Sequence, residues 1–179
     1  GTQSSKIVKE FNLLQLSTGE LLRNEIKNST ELGKRISSII NSGNLVSDEI
    51  VGNLIEKHVS NKSFKDKIIF DGYPRNLVQA RYLDELLNKY DQKIDIALKL
   101  SVSLETIKKR ILERKSLEKR ADDQEEIAIK RYETYEKNIK PVIDFYKQSN
   151  LLKDVNGESS IIEINNEISA LIESIKGWL

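Results

Sequence analysis

Hydrophobic positions follow two spacings along the chain: three to four residues apart over long stretches, and contiguous over short ones. The first spacing predicts amphipathic helices and the second buried strands. Residues 2–11 predict a helix, and 13–16 a short strand. Ser17 or Thr18 then caps a helix running to about Lys27. Thr30 opens another, with Leu32, Ile36, Ile39 and Ile40 as its apolar stripe and Gly43 ending it. Ser47-Asp48-Glu49 starts a third, carried by Ile50, Leu54, Ile55 and Val59. Residues 67–70 form an apolar run that closes into Asp-Gly and Tyr-Pro, a strand entering a turn. A helix over 77–89, a strand over 94–100 and a helix capped by Ser103 follow. Asp122, with Glu125 three residues on, has the pattern of a capping box. Pro141 predicts the start of a further helix, where its missing N–H costs nothing. A last strand at 151–155 precedes Asn156-Gly157 and a terminal helix over 161–175.

Strands separated by helices predict an α/β fold with a parallel sheet covered on both faces. The three helices between the first two strands exceed a simple crossover and predict an inserted small subdomain. No repeat, low-complexity stretch or linker divides the 179 residues, so one domain is expected over 1–179.

Composition narrows the chemistry. Net charge is +1, which demands neither nucleic acid nor a membrane as partner. No apolar run approaches 18 residues, so no transmembrane helix is expected, and the cytoplasm is the default location. The chain has no Cys and one His, which excludes disulfides, thiolate catalysis and Cys- or His-based metal clusters. His58 reads as an ordinary helix-face residue and Trp178 as an anchor for the C-terminus. Of 29 basic residues only eight are Arg, at 23, 35, 75, 81, 110, 114, 120 and 131. Arg is required where a planar fork must grip carboxylate or phosphate, so each position merits inspection.

Three turns fall at strand carboxyl ends, where ligands of such sheets bind: Ser17-Thr18-Gly19, Asp71-Gly72-Tyr73-Pro74-Arg75 and Val155-Asn156-Gly157. Each also reads as a plain cap or turn, and the sharper signal is their recurrence in one short domain. Arg110 and Arg114 share a helix face, Arg120 ends a five-residue loop at 115–119, and Arg131 lies in the next helix. With Arg23 and Arg75 they are six guanidinium groups that a fold could converge. Phosphoryl transfer needs such dense, preorganised positive charge and exclusion of water. The other reading is a solvated helix on which Arg110 and Arg114 pair with Glu113 and its neighbours. Asp122-Asp123 is either a helix cap or a pair of carboxylates holding Arg residues at a hinge.

Four motifs in order and in register sharpen this: residues 15–23 (QLSTGELLR), 43–49 (GNLVSDE), 70–75 (FDGYPR) with Gln79, and 120–126 (RADDQEE) with Arg131. Together they resemble adenylate kinase, a nucleoside monophosphate kinase with a phosphate-binding loop, from Gly1 to the last helix. The resemblance implies transfer of the γ-phosphoryl group of ATP to AMP, giving two ADP, by a monomer. Thr18, Arg23, Asn44, Leu45, Val46, Gly72, Tyr73, Pro74, Arg75 and Gln79 would form the AMP site. Gln79 would read the adenine edge, and Arg23 and Arg75 would grip the phosphate. Residues 17–46 would be a mobile AMP-binding subdomain and 114–122 a short lid. Arg110 and Arg114 would face ATP, Arg120 and Arg131 would bridge the phosphates of both nucleotides, and the turn at Ser159 would touch the ATP base. Asp71 would place Mg2+ through water, with no residue ligating it directly. Arg75, Arg110, Arg120, Arg131 and Asp71 are thus the implied catalytic set.

Gly1-Thr2-Gln3 resembles the tail of the family's Gly-x-Pro-Gly-x-Gly-Lys-Gly-Thr-Gln loop, whose amides cradle ATP phosphates. Gly1 and Thr2 are therefore assigned to the ATP side. The loop's Lys and the strand before it are not in the sequence, and on that reading little ADP formation is expected from these 179 residues. The lid is short and its five residues contain no Gly. Two alternatives stand beside this reading. One is a UMP/CMP kinase, which shares the Asp-Gly-x-Pro-Arg turn but where Asn is expected in place of Gln79. The other is a non-catalytic nucleotide-binding remnant.

Overall fold

A computed structural model describes residues 1–42, 44, 46–118 and 125–176, without the side chains of 114–118, 125, 128 and 176. The elements run α1 (Thr2–Phe11), β1 (Leu14–Ser17), α2 (Thr18–Lys27), α3 (Glu31–Asn41), α4 (Asp48–Val59), a 3-10 turn (Lys62–Phe64), β2 (Ile68–Asp71), α5 (Leu77–Lys89), β3 (Ala97–Ser101), α6 (Leu104–Glu118), α7 (Glu125–Gln148), β4 (Leu152–Asn156) and α8 (Ile161–Lys176). The fold is mixed α/β, mostly helical, with small parallel sheets.

Helix starts follow side-chain chemistry. Ser17 accepts from the Glu20 N–H, Thr30 from Gly33 N–H, and Asn76 from Gln79 N–H, each satisfying an orphan donor of a first turn. Thr30 also donates to the Glu25 carbonyl, locking α3 back onto α2. Gly33 completes that contact, because a Cβ there would overlap the Glu25 carbonyl.

β1 pairs with β2 in parallel, Leu14 opposite Ile68 through Ser17 opposite Asp71. β3 pairs likewise with β4, Ala97 opposite Leu152 through Ser101 opposite Asn156. Among the described residues the strands thus form two parallel pairs rather than one sheet. An apolar cavity of about 420 Å³ is lined by β2 and β3 and by Leu83, Tyr146 and Ile168.

Three clusters make the core. The largest joins Leu22, Ile36, Val51, Ile55, Leu83 and Leu87, and so fastens α2–α4 to α5. A second packs Ile7 of α1 against Val155 and against Ile164 and Ile168 of α8. A third packs Ala80 of α5 on Val142 and Tyr146 of α7.

Three local expectations are corrected. Pro141 does not begin a helix but lies inside the 24-residue α7. It forfeits one backbone donor, while burial of Val142 and Tyr146 just beyond it keeps the helix on course. The loop expected at 115–119 is helical through Glu118, since 115–118 (KSLE) holds no Gly or Pro to stop α6. The strand expected from 94 begins at Ala97, because Leu152 opposite Ala97 is the first partner of the ladder. Gly43, Asp122 and Trp178 lie outside the described residues.

Candidate active site

All three chemistry-bearing turns sit at strand carboxyl ends. Ser17 lies beside Asp71, and Ser101 beside Asn156, at the final rungs of the two ladders. The turn after β2 is the centre of the arrangement. Gly72 adopts φ +71°, in the left-handed region that favours glycine. Its carbonyl accepts twice, from Thr18 Oγ1 at 3.1 Å and from Arg75 Nε at 2.7 Å. One backbone oxygen thereby joins the start of α2 to the guanidinium of Arg75.

Asp71 precedes that glycine. Its Oδ2 accepts from the Gly1 amine at 3.0 Å, Ser4 Oγ at 3.0 Å and Gln15 Nε2 at 2.8 Å. Burial acts to raise the Asp71 carboxyl, but these donors outweigh it and hold it below its ordinary value.

Arg75 and Arg131 line one cleft of about 600 Å³, together with Gly72, Pro74, Lys99 and Ser101. Desolvation, then the charge of Arg131, and further that of Arg23, hold Arg75 below the usual arginine value, while Asp71 pulls the other way. Arg23 reaches back along α2 so that its Nη1 lies 3.1 Å from where a Cβ on Gly19 would be. Three of the six arginines are therefore electrostatic neighbours, with Arg75 in the middle.

Gln79 is 3% exposed on the first turn of α5. Its Oε1 accepts from the Arg75 N–H at 2.7 Å, and its Nε2 donates to Asp48 Oδ1 at 2.7 Å. Asn76 also donates to Asp48, at 3.0 and 3.2 Å to its two oxygens. Asp48 was not among the residues singled out from the sequence. It lies 31 positions from Gln79, and only its place in the 43–49 motif hinted at a role.

α6 gives Ile107 and Ile111 to the cleft lining, whereas Arg110 is not part of it. Arg110 Nη2 donates to the Gly157 carbonyl at 2.7 Å, bringing it to the turn that holds Ser159. Glu158 fastens this turn by accepting from Ser103 N–H and Thr106 Oγ1, both at 2.6 Å. These donors hold the Glu158 carboxyl below its ordinary value, backbone N–H first. Gly1 stands beside Asp71, and Thr2 is the first residue of α1.

Other expected residues distribute less evenly. Val46 and Tyr73 are buried in the largest core cluster, so the Tyr73 ring faces the core rather than the cleft. Burial raises its phenol well above the ordinary value. Asn44 is exposed and bonds Ser42 through its side chain at 3.0 Å. Leu45 and Arg120 lie outside the described residues, as does the side chain of Arg114.

The family model for adenylate kinase matches residues 1–151. The chain belongs to the adenylate kinase family. It is 40% identical over 199 residues to an adenylate kinase of Pelagibacter ubique, covering 97% of this chain and 93% of that one. An adenylate kinase of Maricaulis maris is 40% identical over 173 residues (97% and 92%). One of Porphyromonas gingivalis is 37% identical over 176 (98% and 91%). As an adenylate kinase family member the protein is a nucleoside monophosphate kinase, a phosphotransferase acting on nucleotides. Neither a UMP/CMP kinase nor a remnant is better supported. No described helix is long and apolar enough to cross a membrane.

Proposed function

We propose that the cleft at the carboxyl ends of β2 and β3 carries the transfer from ATP to AMP, with Arg75 as the pivotal contact. The observation behind this is that Arg75 and Arg131 line one cleft, with Arg23 as a further positive neighbour of Arg75, a grouping that favours an anionic ligand. Arg75 and Arg23 bind the AMP phosphate, and Arg131 spans toward the group in flight. Thr18 and Gly72 fix Arg75 through the shared carbonyl, so the donor is oriented before the ligand arrives. Gln79 reads the adenine edge. Arg110, with the 156–159 turn, binds on the ATP side, as do Gly1, Thr2, Arg114 and Ser159.

Transfer is direct: the AMP phosphate oxygen attacks the γ-phosphorus, the bond to the β-bridging oxygen breaks, and that oxygen leaves as ADP. No covalent enzyme intermediate is required. The arginines stabilise the charge that spreads over the transferring oxygens. Closure of residues 17–46 and of the lid at 114–122, with Arg120, excludes water that would otherwise accept the phosphoryl group.

Mg2+ enters with the nucleotide. Asp71 would help to place it through water, and its three described hydrogen bonds all fall on Oδ2. Among the described residues there is no group of three or more His, Cys, Asp or Glu that could hold a metal ion. When bound, the ion neutralises phosphate charge. The protein works as a cytoplasmic monomer in this reading.

Calorimetric titration with AMP tests the assignment. Charge-assisted hydrogen bonds of this kind contribute about 1.5–3 kcal/mol, so Arg75→Ala is expected to weaken AMP binding at least tenfold. Unchanged affinity in both Arg75→Ala and Arg131→Ala would sink it.

A further inference from the structure

Gln79 presents a carboxamide whose two ends could in principle be exchanged by a half-turn of its last bond. In this protein they are not exchangeable. The Arg75 backbone N–H can only donate, and it points at Oε1 from 2.7 Å. The Asp48 carboxylate can only accept, and it takes a hydrogen from Nε2 at 2.7 Å. A reversed amide would set NH2 against N–H at one end and oxygen against carboxylate at the other. Both contacts would then be repulsive.

Asp48 is itself held. Asn76 donates to both of its oxygens, and Asn76 cannot turn because its own Oδ1 accepts from Gln79 N–H at 2.8 Å. The four side and main chains form a closed circuit of hydrogen bonds with one allowed polarity. Gln79 is 3% exposed, so little water competes for what remains. After the circuit is satisfied, Nε2 retains one hydrogen and Oε1 one lone pair.

We infer that Asp48 is a specificity-determining positioning residue: by fixing the polarity of the Gln79 amide it selects adenine over 6-oxopurines. This rests on Gln79 as the residue that reads the base. Adenine offers an acceptor at N1 beside a donor at its 6-amino group, which matches one free hydrogen beside one free lone pair. Hypoxanthine offers the reverse, a donor at N1 beside an acceptor at O6, and would need the forbidden amide orientation. A site whose polar groups cannot rearrange rejects the mismatched ligand by leaving buried groups unpaired.

Substituting Asp48→Asn removes the constraint at one end while keeping the shape. The amide that replaces the Asp48 carboxylate can present either its oxygen or its NH2 at the Oδ1 position, so the Gln79 amide finds a partner there in either orientation and gains freedom to turn. Affinities for AMP and for inosine monophosphate are measured by titration calorimetry on the full chain, alongside Asp48→Ser and Gln79→Ala. The ratio of AMP to inosine monophosphate affinity is expected to fall about tenfold in Asp48→Asn, equivalent to roughly 1.4 kcal/mol. Asp48→Ser keeps a polar residue at the start of α4 but is too short to reach Gln79. It should lower the ratio similarly, and it decides the matter if the Asn variant does not fold. General loosening of the site would weaken both ligands alike and leave the ratio standing. If Gln79→Ala collapses the ratio while both Asp48 variants keep it within twofold, Asp48 has no such role. If Gln79→Ala also leaves AMP affinity and the ratio unchanged, the base-reading assignment of Gln79 is what fails.

Discussion

Replacing Gly72 by Ala probes how backbone conformation supports recognition. At φ +71° a Cβ costs about 1–2 kcal/mol. The added methyl would lie 3.1 Å from Arg75 Nη2 and 3.6 Å from Thr18 Oγ1. The first distance is a few tenths of an ångström too short, and the neighbour is the tip of a long side chain. Arg75 should therefore swing away rather than force the backbone apart, breaking its Nε bond to the Gly72 carbonyl. Stability should fall by roughly the conformational cost alone, about 1–2 kcal/mol, as read from urea unfolding. AMP affinity should fall by up to the value of the Arg75–phosphate contact, about 1.5–3 kcal/mol or roughly 10- to 150-fold. In an Arg75→Ala background the same substitution should cost no further affinity, because the group it displaces is already gone. Additive losses of affinity in that double mutant would refute the reasoning, as would parental AMP binding by Gly72→Ala.

Gly33→Ala should destabilise the protein by about 1–3 kcal/mol, since its Cβ meets the Glu25 carbonyl and main chain cannot yield as a side chain can. Helix propensity alone predicts a gain of about 1 kcal/mol, so the sign of the shift in urea midpoint decides between them. For Asp71, a folded-state pKa held below the ordinary 3.8 means its contribution is full above that value and lost as pH falls through the folded one. The stability gap between parent and Asp71→Asn should be widest near neutrality and close below about pH 4, and a gap constant from pH 7 to 3 would contradict this.

Much of the fold was legible because its signals are local. Thr30 and Ser103 cap the helices their positions predict, since a cap needs only a side-chain oxygen and an amide three residues on. The Arg75–Arg131 pairing was legible only through resemblance, as nothing local ties residues 56 positions apart. Pro141 misled because a local penalty is outweighed when the flanking turns are buried against another helix. Tyr73 was read with its motif, yet the cleft and core share that turn and its ring belongs to the core. Asp48 escaped altogether. Its acidic position in a first turn has an ordinary explanation in the helix macrodipole, and its grip on Gln79 exists only in three dimensions.

The first turns of α5 give consecutive residues to different tasks. Gln79 holds the polar circuit, Ala80 packs on α7, and Leu83 fills the core beneath α2–α4. No sliding or rolling of this helix can move the Gln79 carboxamide without disturbing two packing surfaces. On the proposed reading of Gln79, a change of base preference would come from exchange of side-chain tips around this helix rather than from its displacement.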